Sequence, residues 1–221
     1  LTLRAVYIPR ENAKGTIICM HGYHSTNDIE FVPEVRFLWN LGYSILLPWQ
    51  RSHGKSEGRY ITYGVKERHD LKRWILYTNR HLAAKNKDIF LCGISMGCAT
   101  TLMAAGLDLP DNVKGIIADC GFTSPWDIIK HVAKERFYLP PFPLMYMVDL
   151  ISEVVAGFGL KEVSIPEIMK RNKIPVLFIH GDADDYVPMW MTIKNYEACA
   201  AKKELYIVSG CLLYTSDAAD D

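Results

Sequence analysis

The pentapeptide Gly93-Ile94-Ser95-Met96-Gly97 lies between an apolar run, Ile89 to Cys92, and a helix-like stretch, Cys98 to Leu107. A serine at a sharp strand-to-helix turn projects its hydroxyl from strained backbone, the posture of a nucleophile in acyl transfer. A side chain at Gly93 or Gly97 is expected to collide with the neighbouring strand or helix. Such a serine also needs oxyanion donors, a base, and a carboxylate that orients the base. After the run Thr16–Met20 comes His21-Gly22-Tyr23-His24-Ser25, whose glycine allows close backbone approach. The expected oxyanion donors are the backbone N–H of Tyr23 and that of Met96, the residue after the nucleophile. After the run Pro175–Ile179 the chain reads His180-Gly181-Asp182-Ala183-Asp184-Asp185-Tyr186-Val187-Pro188, which supplies three candidate acids. Asp119, beyond the run Val113–Ala118, is a weaker fourth. No histidine stands at a ligand-like spacing from this aspartate group, so no metal is expected.

Seven short apolar runs rich in β-branched residues are expected to be strands: Leu3–Ile8, Thr16–Met20, Tyr43–Leu47, Asp88–Cys92, Val113–Ala118, Pro175–Ile179 and Glu204–Val208. Helical periodicity separates most of them. Leu71, Trp74, Ile75, Thr78 and Leu82 share one face of a helix expected from about residue 65 to 84. This alternation implies an α/β fold with a mostly parallel sheet covered by helices on both faces. Ligands of such sheets bind beyond the carboxyl ends of the strands, where the motifs above fall. The stretch from about 136 to 173, rich in aromatics and proline, is too long for a simple crossover and reads as an inserted lid.

The 221 residues suit one domain, with 49% hydrophobic and 23% charged residues. With 25 basic and 25 acidic residues, the charge balance points to neither nucleic acid nor an anionic membrane. Pro140, Pro141, Pro143, Asp149 and Glu153 interrupt the apolar region Phe137 to Phe158, so no membrane span is expected there. The six cysteines show no CxxC pair; Cys19, Cys92 and Cys120 end apolar runs and read as small buried hydrophobes. The chain opens on Leu1 without a signal peptide. An upstream segment is therefore expected, and the compartment stays open with the cytoplasm favoured.

HGYHS, QRSHGKS (Gln50 to Ser56), GISMG and HGDADDYVP occur in an order and spacing that resemble the α/β-hydrolase superfamily. The likeness is greatest to its serine-aminopeptidase-like (S33-type) and BEM46-like, esterase-related branch, and extends to Gly210. The resemblance implies the α/β-hydrolase fold with a small helical lid, Ser95 as nucleophile, Asp184 as the acid, a final histidine, no cofactor, and hydrolysis of esters or amides. Asp182 and Asp185 are then expected to shape the turn or cap the helix near Pro188. One departure is Trp49, where relatives carry Asp or Asn, which puts the geometry of the following loop in question.

In this fold the histidine comes last, after the seventh run. Ser209-Gly210 begins the expected loop, but residues 211–221 contain no histidine and no apolar periodicity. They are read as a non-native tail on a domain of residues 1–210, with the last helix and the catalytic histidine missing. His24 is the nearest substitute by loop placement; His21 and His180 are expected to make structural hydrogen bonds. The favoured function is ester hydrolysis, impaired in this chain, with a small-molecule ester or short peptide as substrate. Phe122, Trp126, Phe137, Tyr138, Phe142 and Tyr146 either line an acyl pocket or merely cover the sheet. The rivals are an aminopeptidase-like enzyme, with Glu135 or Glu153 anchoring a substrate amine, and a non-catalytic binding protein.

Overall fold

Seven strands form on the seven apolar runs: β1 Ala5–Ile8, β2 Gly15–Met20, β3 Ser44–Pro48, β4 Asp88–Ile94, β5 Val113–Asp119, β6 Val176–Gly181 and β7 Lys203–Val208. The computed structural model describes residues 1–82 and 87–210; the expected tail, 211–221, lies outside the described residues. The strands make one sheet in the order β1-β3-β2-β4-β5-β6-β7. Among the described residues, only β1 runs antiparallel, against β3; every other pairing is parallel. The expected α/β-hydrolase architecture is the observed one.

The period-two alternation of side chains divides the core into two layers. Ile18, Met20, Leu46, Leu91, Ile116 and Phe178 face the larger cluster, which also holds the helices that follow β3, β4, β5 and β6. Ile17, Cys19, Ile45, Leu47 and Cys92 face the opposite side, against Phe31 and helix α2 (Val32–Asn40). The short helix α1 (Asn27–Glu30) precedes it. Cys19, Cys92 and Cys120 are buried free thiols.

Helix α3 (Glu67–Tyr77) continues into a π-helical turn, Thr78–Leu82. Leu71, Ile75 and Thr78 are fully buried, so the predicted face is the packed one. Helix α4 (Met96–Ala104) is buried along its whole length, which places the turn before it at the centre of the molecule. Between β5 and β6 lie α5 (Pro125–Glu135), α6 (Pro141–Ile151) and α7 (Ile165–Met169). Ser124 caps α5 by accepting the Asp127 N–H at 3.1 Å, with Pro125 in the first turn. Helix α6 leaves Phe142, Tyr146, Met147 and Leu150 exposed, whereas Phe158, Leu160, Ile165 and Met169 return to the core. Asp149 anchors that return by accepting the Leu160 N–H at 2.7 Å. Among the described residues, no helix is long and apolar enough to cross a membrane. Helix α8 (Met189–Ala198) then leads into β7.

Candidate active site

Ser95 joins β4 to α4 at φ 53° and ψ −114°, a conformation that L-residues rarely adopt. It occupies the N-cap position, yet its side chain makes no capping hydrogen bond, so the hydroxyl is not consumed by the helix. The turn closes because the residues two before and two after Ser95, Gly93 and Gly97, are glycine. A Cβ on Gly97 would overlap the Met20 carbonyl and lie 2.7 Å from the His21 oxygen; one on Gly93 would lie 2.6 Å from the Cys98 nitrogen. The expected collisions are therefore with neighbouring backbone, as the sequence implied.

The loop after β2 meets this turn directly. A Cβ on Gly22 would stand 3.5 Å from Ser95 Cβ, so Gly22 brings the His21–Tyr23 backbone close to Ser95. Met96 is the first residue of α4, and its N–H is one of those a helix leaves without an internal acceptor. Histidines and a glutamine fix the loop. His21 Nδ1 donates to the Gly22 carbonyl at 2.8 Å, and its Nε2 accepts the Gln50 N–H at 3.0 Å. The Gln50 side chain donates to the His21 carbonyl and accepts the Thr100 hydroxyl of α4 at 3.1 Å. His53 donates through Nδ1 to the Arg51 carbonyl and accepts the His24 N–H through Nε2 at 3.3 Å. Burial pushes the pKa of His53 down, which keeps it in this neutral role.

Trp49, the departure from the family pattern, is itself the support of the next loop. Its indole is buried where a side chain on Gly54 would stand, and Gly54 has a φ of +50°. The Trp49 carbonyl accepts the Ser56 hydroxyl at 2.7 Å, and Arg51 pairs with buried Asp70 at 2.7 Å.

Asp184, beyond β6, is buried. Its Oδ1 accepts the Tyr186 and Val187 N–H groups at 2.9 Å each, while Oδ2 is buried and has no hydrogen bond among the described residues. Burial raises its pKa, against the two amides that lower it. Asp182 and Asp185 do not cap α8, whose first residues receive no side-chain cap. Asp182 instead accepts the Ser209 hydroxyl at 3.0 Å and the Gly210 N–H at 2.6 Å, holding the loop after β7 beside the acid. Asp185 is exposed and pairs with Arg136 at 3.5 Å. Asp119 contributes its carbonyl to the Ser95 N–H at 2.9 Å, while its carboxylate takes the Cys120 thiol at 3.0 Å.

Cys120, His180 and Asp184 come within 4.8 Å of one another, a donor set that linear spacing conceals. His180 is fully buried; Nε2 donates to the Val187 carbonyl at 2.8 Å and Nδ1 bonds Thr192 at 2.7 Å. Both nitrogens are engaged, so the ring suits structure better than a metal. His24 stacks on the Tyr23 ring, with centroids 4.1 Å apart. Glu135 is exposed and bound to Lys134, and Glu153 is exposed beyond α6.

The acid that does stand at the elbow is Glu30, which sequence reasoning passed over. Its Oε2 accepts the Gly22 N–H at 2.5 Å, and Oε1 is buried without a hydrogen bond among the described residues. In the sequence it looks like one more solvated charge on a short helix. Only its position just before buried Phe31 hints that it turns inward.

Residues 56–209 match the Peptidase S9, prolyl oligopeptidase family. The Bacillus subtilis protein YqkD is 29% identical over 205 residues, which cover 93% of this chain and 67% of that protein. Protein bem46 of Schizosaccharomyces pombe is 27% identical over 172 residues, or 77% of this chain and 52% of that protein. The chain thus spans from about half to two thirds of the length of these curated relatives. Among solved structures, the Pyrococcus furiosus esterase Pf2001 superposes with a TM-score of 0.72 at 24% identity, covering 96% of this chain and 84% of that one. At that identity the likeness is one of fold.

Proposed function

We propose that this chain, which belongs to the prolyl oligopeptidase family within the α/β-hydrolase superfamily, is a serine hydrolase that cleaves carboxylic esters through an acyl-enzyme. The observation that carries the reading is Ser95 itself, held at φ 53° with its hydroxyl free of any capping bond. Ser95 Oγ attacks the carbonyl carbon, and the Tyr23 and Met96 N–H groups receive the developing oxyanion. Asp184 orients the base through Oδ2, the buried oxygen that accepts no hydrogen bond among the described residues and lies 3.4 Å from His180 Nε2. The base passes the Ser95 proton to the ester's alkoxy oxygen, the tetrahedral intermediate collapses with loss of the alcohol, and water then attacks the acyl-enzyme to release the carboxylic acid.

An apolar cavity of about 320 Å³ supports an acyl substrate. Ile128, Val132, Phe137 and Met145 line it, together with Tyr63 and Tyr186. Those two tyrosines connect it to the site: Tyr63 stacks on Tyr23 at 5.3 Å, and Tyr186 follows Asp184 by two residues. Of the aromatics expected to line such a pocket, Phe137 does so, while Tyr146 packs on Trp126 at 5.3 Å. Val132→Trp is expected to fill the cavity. Losing the burial of two methylenes, at about 0.8 kcal/mol each, raises KM for p-nitrophenyl hexanoate roughly tenfold. The acetate ester should change far less; equal losses on both esters would remove the cavity from the acyl site.

The base is the unfilled role. No histidine follows Val208 in the sequence, and His21, His53 and His180 have both ring nitrogens engaged. Ester turnover by these 221 residues is therefore expected to be slow.

A second reading, a peptidase of the S33-like kind acting on short peptides, draws support from the matched family, which is one of peptidases. The exposed positions of Glu135 and Glu153 weaken the amine anchor on which it depended. A fluorophosphonate probe, supplied with imidazole as base, tests the shared premise. Peptide mass spectrometry should find the adduct on Ser95 and none in Ser95→Ala. An unmodified Ser95 would favour a non-catalytic binding protein.

A further inference from the structure

Glu30 sits where no acyl-transfer step has yet used it. It closes α1 and reaches back eight residues to the loop that carries the proposed oxyanion donor. One carboxyl oxygen holds the Gly22 N–H, the amide directly before Tyr23. The other is buried and meets no hydrogen-bond geometry with a partner among the described residues. The space that a Cβ on Gly22 would fill is bounded by Glu30 Oε1 at 2.9 Å and by Ser95 Cβ at 3.5 Å. A carboxyl group thus lines the wall between the oxyanion loop and the nucleophile.

We infer that Glu30 is a positioning residue of the acyl-transfer site, fixing the Gly22–Tyr23 backbone as a neutral acid and opposing the oxyanion when it is ionised. The inference rests on the ester-hydrolase reading. Its physical basis is short-range electrostatics. A full negative charge a few ångströms from a developing alkoxide, in a site sheltered from water, raises the energy of the charged intermediate. A neutral carboxyl group can hold the Gly22 amide through its carbonyl oxygen without that penalty.

The surroundings place this change near neutrality. Burial raises the pKa of Glu30 to about 7, and the Gly22 amide opposes the shift. Glu34 on α2 and Asp119 at the end of β5 add negative charge and raise it further, while the Ser25 hydroxyl lowers it. The acid form is therefore favoured below about pH 7 and the anion above it. Acyl transfer to Ser95 should weaken as pH rises through that point, apart from whatever the base does.

Two measurements test this. In the 15N-labelled chain, the Gly22 amide resonance should titrate with a midpoint near 7, and Glu30→Gln should abolish that titration. This readout needs no turnover. The second is the rate of Ser95 phosphonylation by a fluorophosphonate with imidazole present, compared between Glu30→Gln and the unaltered chain. The ratio cancels the titration of imidazole and is expected to rise about tenfold between pH 5.5 and 9, because the glutamine never acquires the charge. A ratio that stays flat with pH would reduce Glu30 to a structural residue and overturn the inference. So would a Gly22 amide that ignores pH. Absence of any Ser95 adduct would instead sink the hydrolase reading, while the Gly22 titration still reports on Glu30.

Discussion

Imidazole at roughly 50 mM is expected to accelerate p-nitrophenyl ester hydrolysis by this chain about 100-fold, through Ser95, because on the ester-hydrolase reading a diffusing base supplies the role proposed for a histidine after β7. Two of the other proposed parts have a fixed geometry. Ser95 is held in its strained turn, and Asp184 keeps one oxygen on the Tyr186 and Val187 amides and one without a hydrogen bond among the described residues. Removing the histidine of a triad costs nearly all of the triad's contribution, since the members act as a unit, yet binding and oxyanion stabilisation survive. A free base lacks the entropic advantage of a tethered one, so recovery should be partial. Only neutral imidazole accepts the serine proton. The stimulation should accordingly grow as pH rises through about 6.5 to 7, where the ring loses its charge. Imidazole also hydrolyses activated esters in solution, which makes Ser95→Ala the deciding comparison. Equal stimulation of Ser95→Ala and the unaltered chain would end the acyl-enzyme reading. Fast turnover without imidazole would show that a histidine already in the chain, His24 foremost, reaches Ser95.

Local chemistry made much of this legible in the sequence. All seven strands fall on the apolar runs that announced them: β2 and β3 are buried on both faces and leave a continuous hydrophobic signature, whereas the edge strand β7 alternates half-buried and exposed residues. The elbow was readable for the same kind of reason: Gly93 and Gly97 are demanded by backbone contacts that no other residue survives. What stayed hidden depends on distance in the chain. Glu30 and Gly22 are eight residues apart and meet only because α1 folds back, and no periodicity records that. Asp182 looked like a turn or capping residue until β7 placed Ser209 and Gly210 against it. Trp49 looked like a defect in the QRSHGKS loop, whereas its indole fills the volume that Gly54 vacates. Cys120 lies 60 residues from His180 in sequence, and only the parallel pairing of β5 with β6 brings the two strand ends together.

Gly97→Ala is expected to cost at least about 3 kcal/mol of stability or prevent folding altogether, although it adds only one methyl group. The reason is what the methyl meets. Its carbon would overlap the carbonyl of Met20, which belongs to the central strand β2 and pairs with Gly93 of β4. A side chain in that place could rotate away; a strand carbonyl cannot move without disturbing the pairing of β2 with β4. Gly115→Ala provides the contrast. There the new methyl would stand 3.2 Å from Phe90 Cδ1, the edge of a half-buried ring that can shift by a few tenths of an ångström. That substitution should stay within about 1 kcal/mol, since the steric cost is small and the unfolded chain loses freedom. Urea denaturation of the two variants beside the unaltered chain measures the difference. If Gly97→Ala unfolds at the same midpoint as Gly115→Ala, the turn at Ser95 is looser than its φ of 53° implies. Ser95 would then lack the rigid support that the proposed acyl transfer requires.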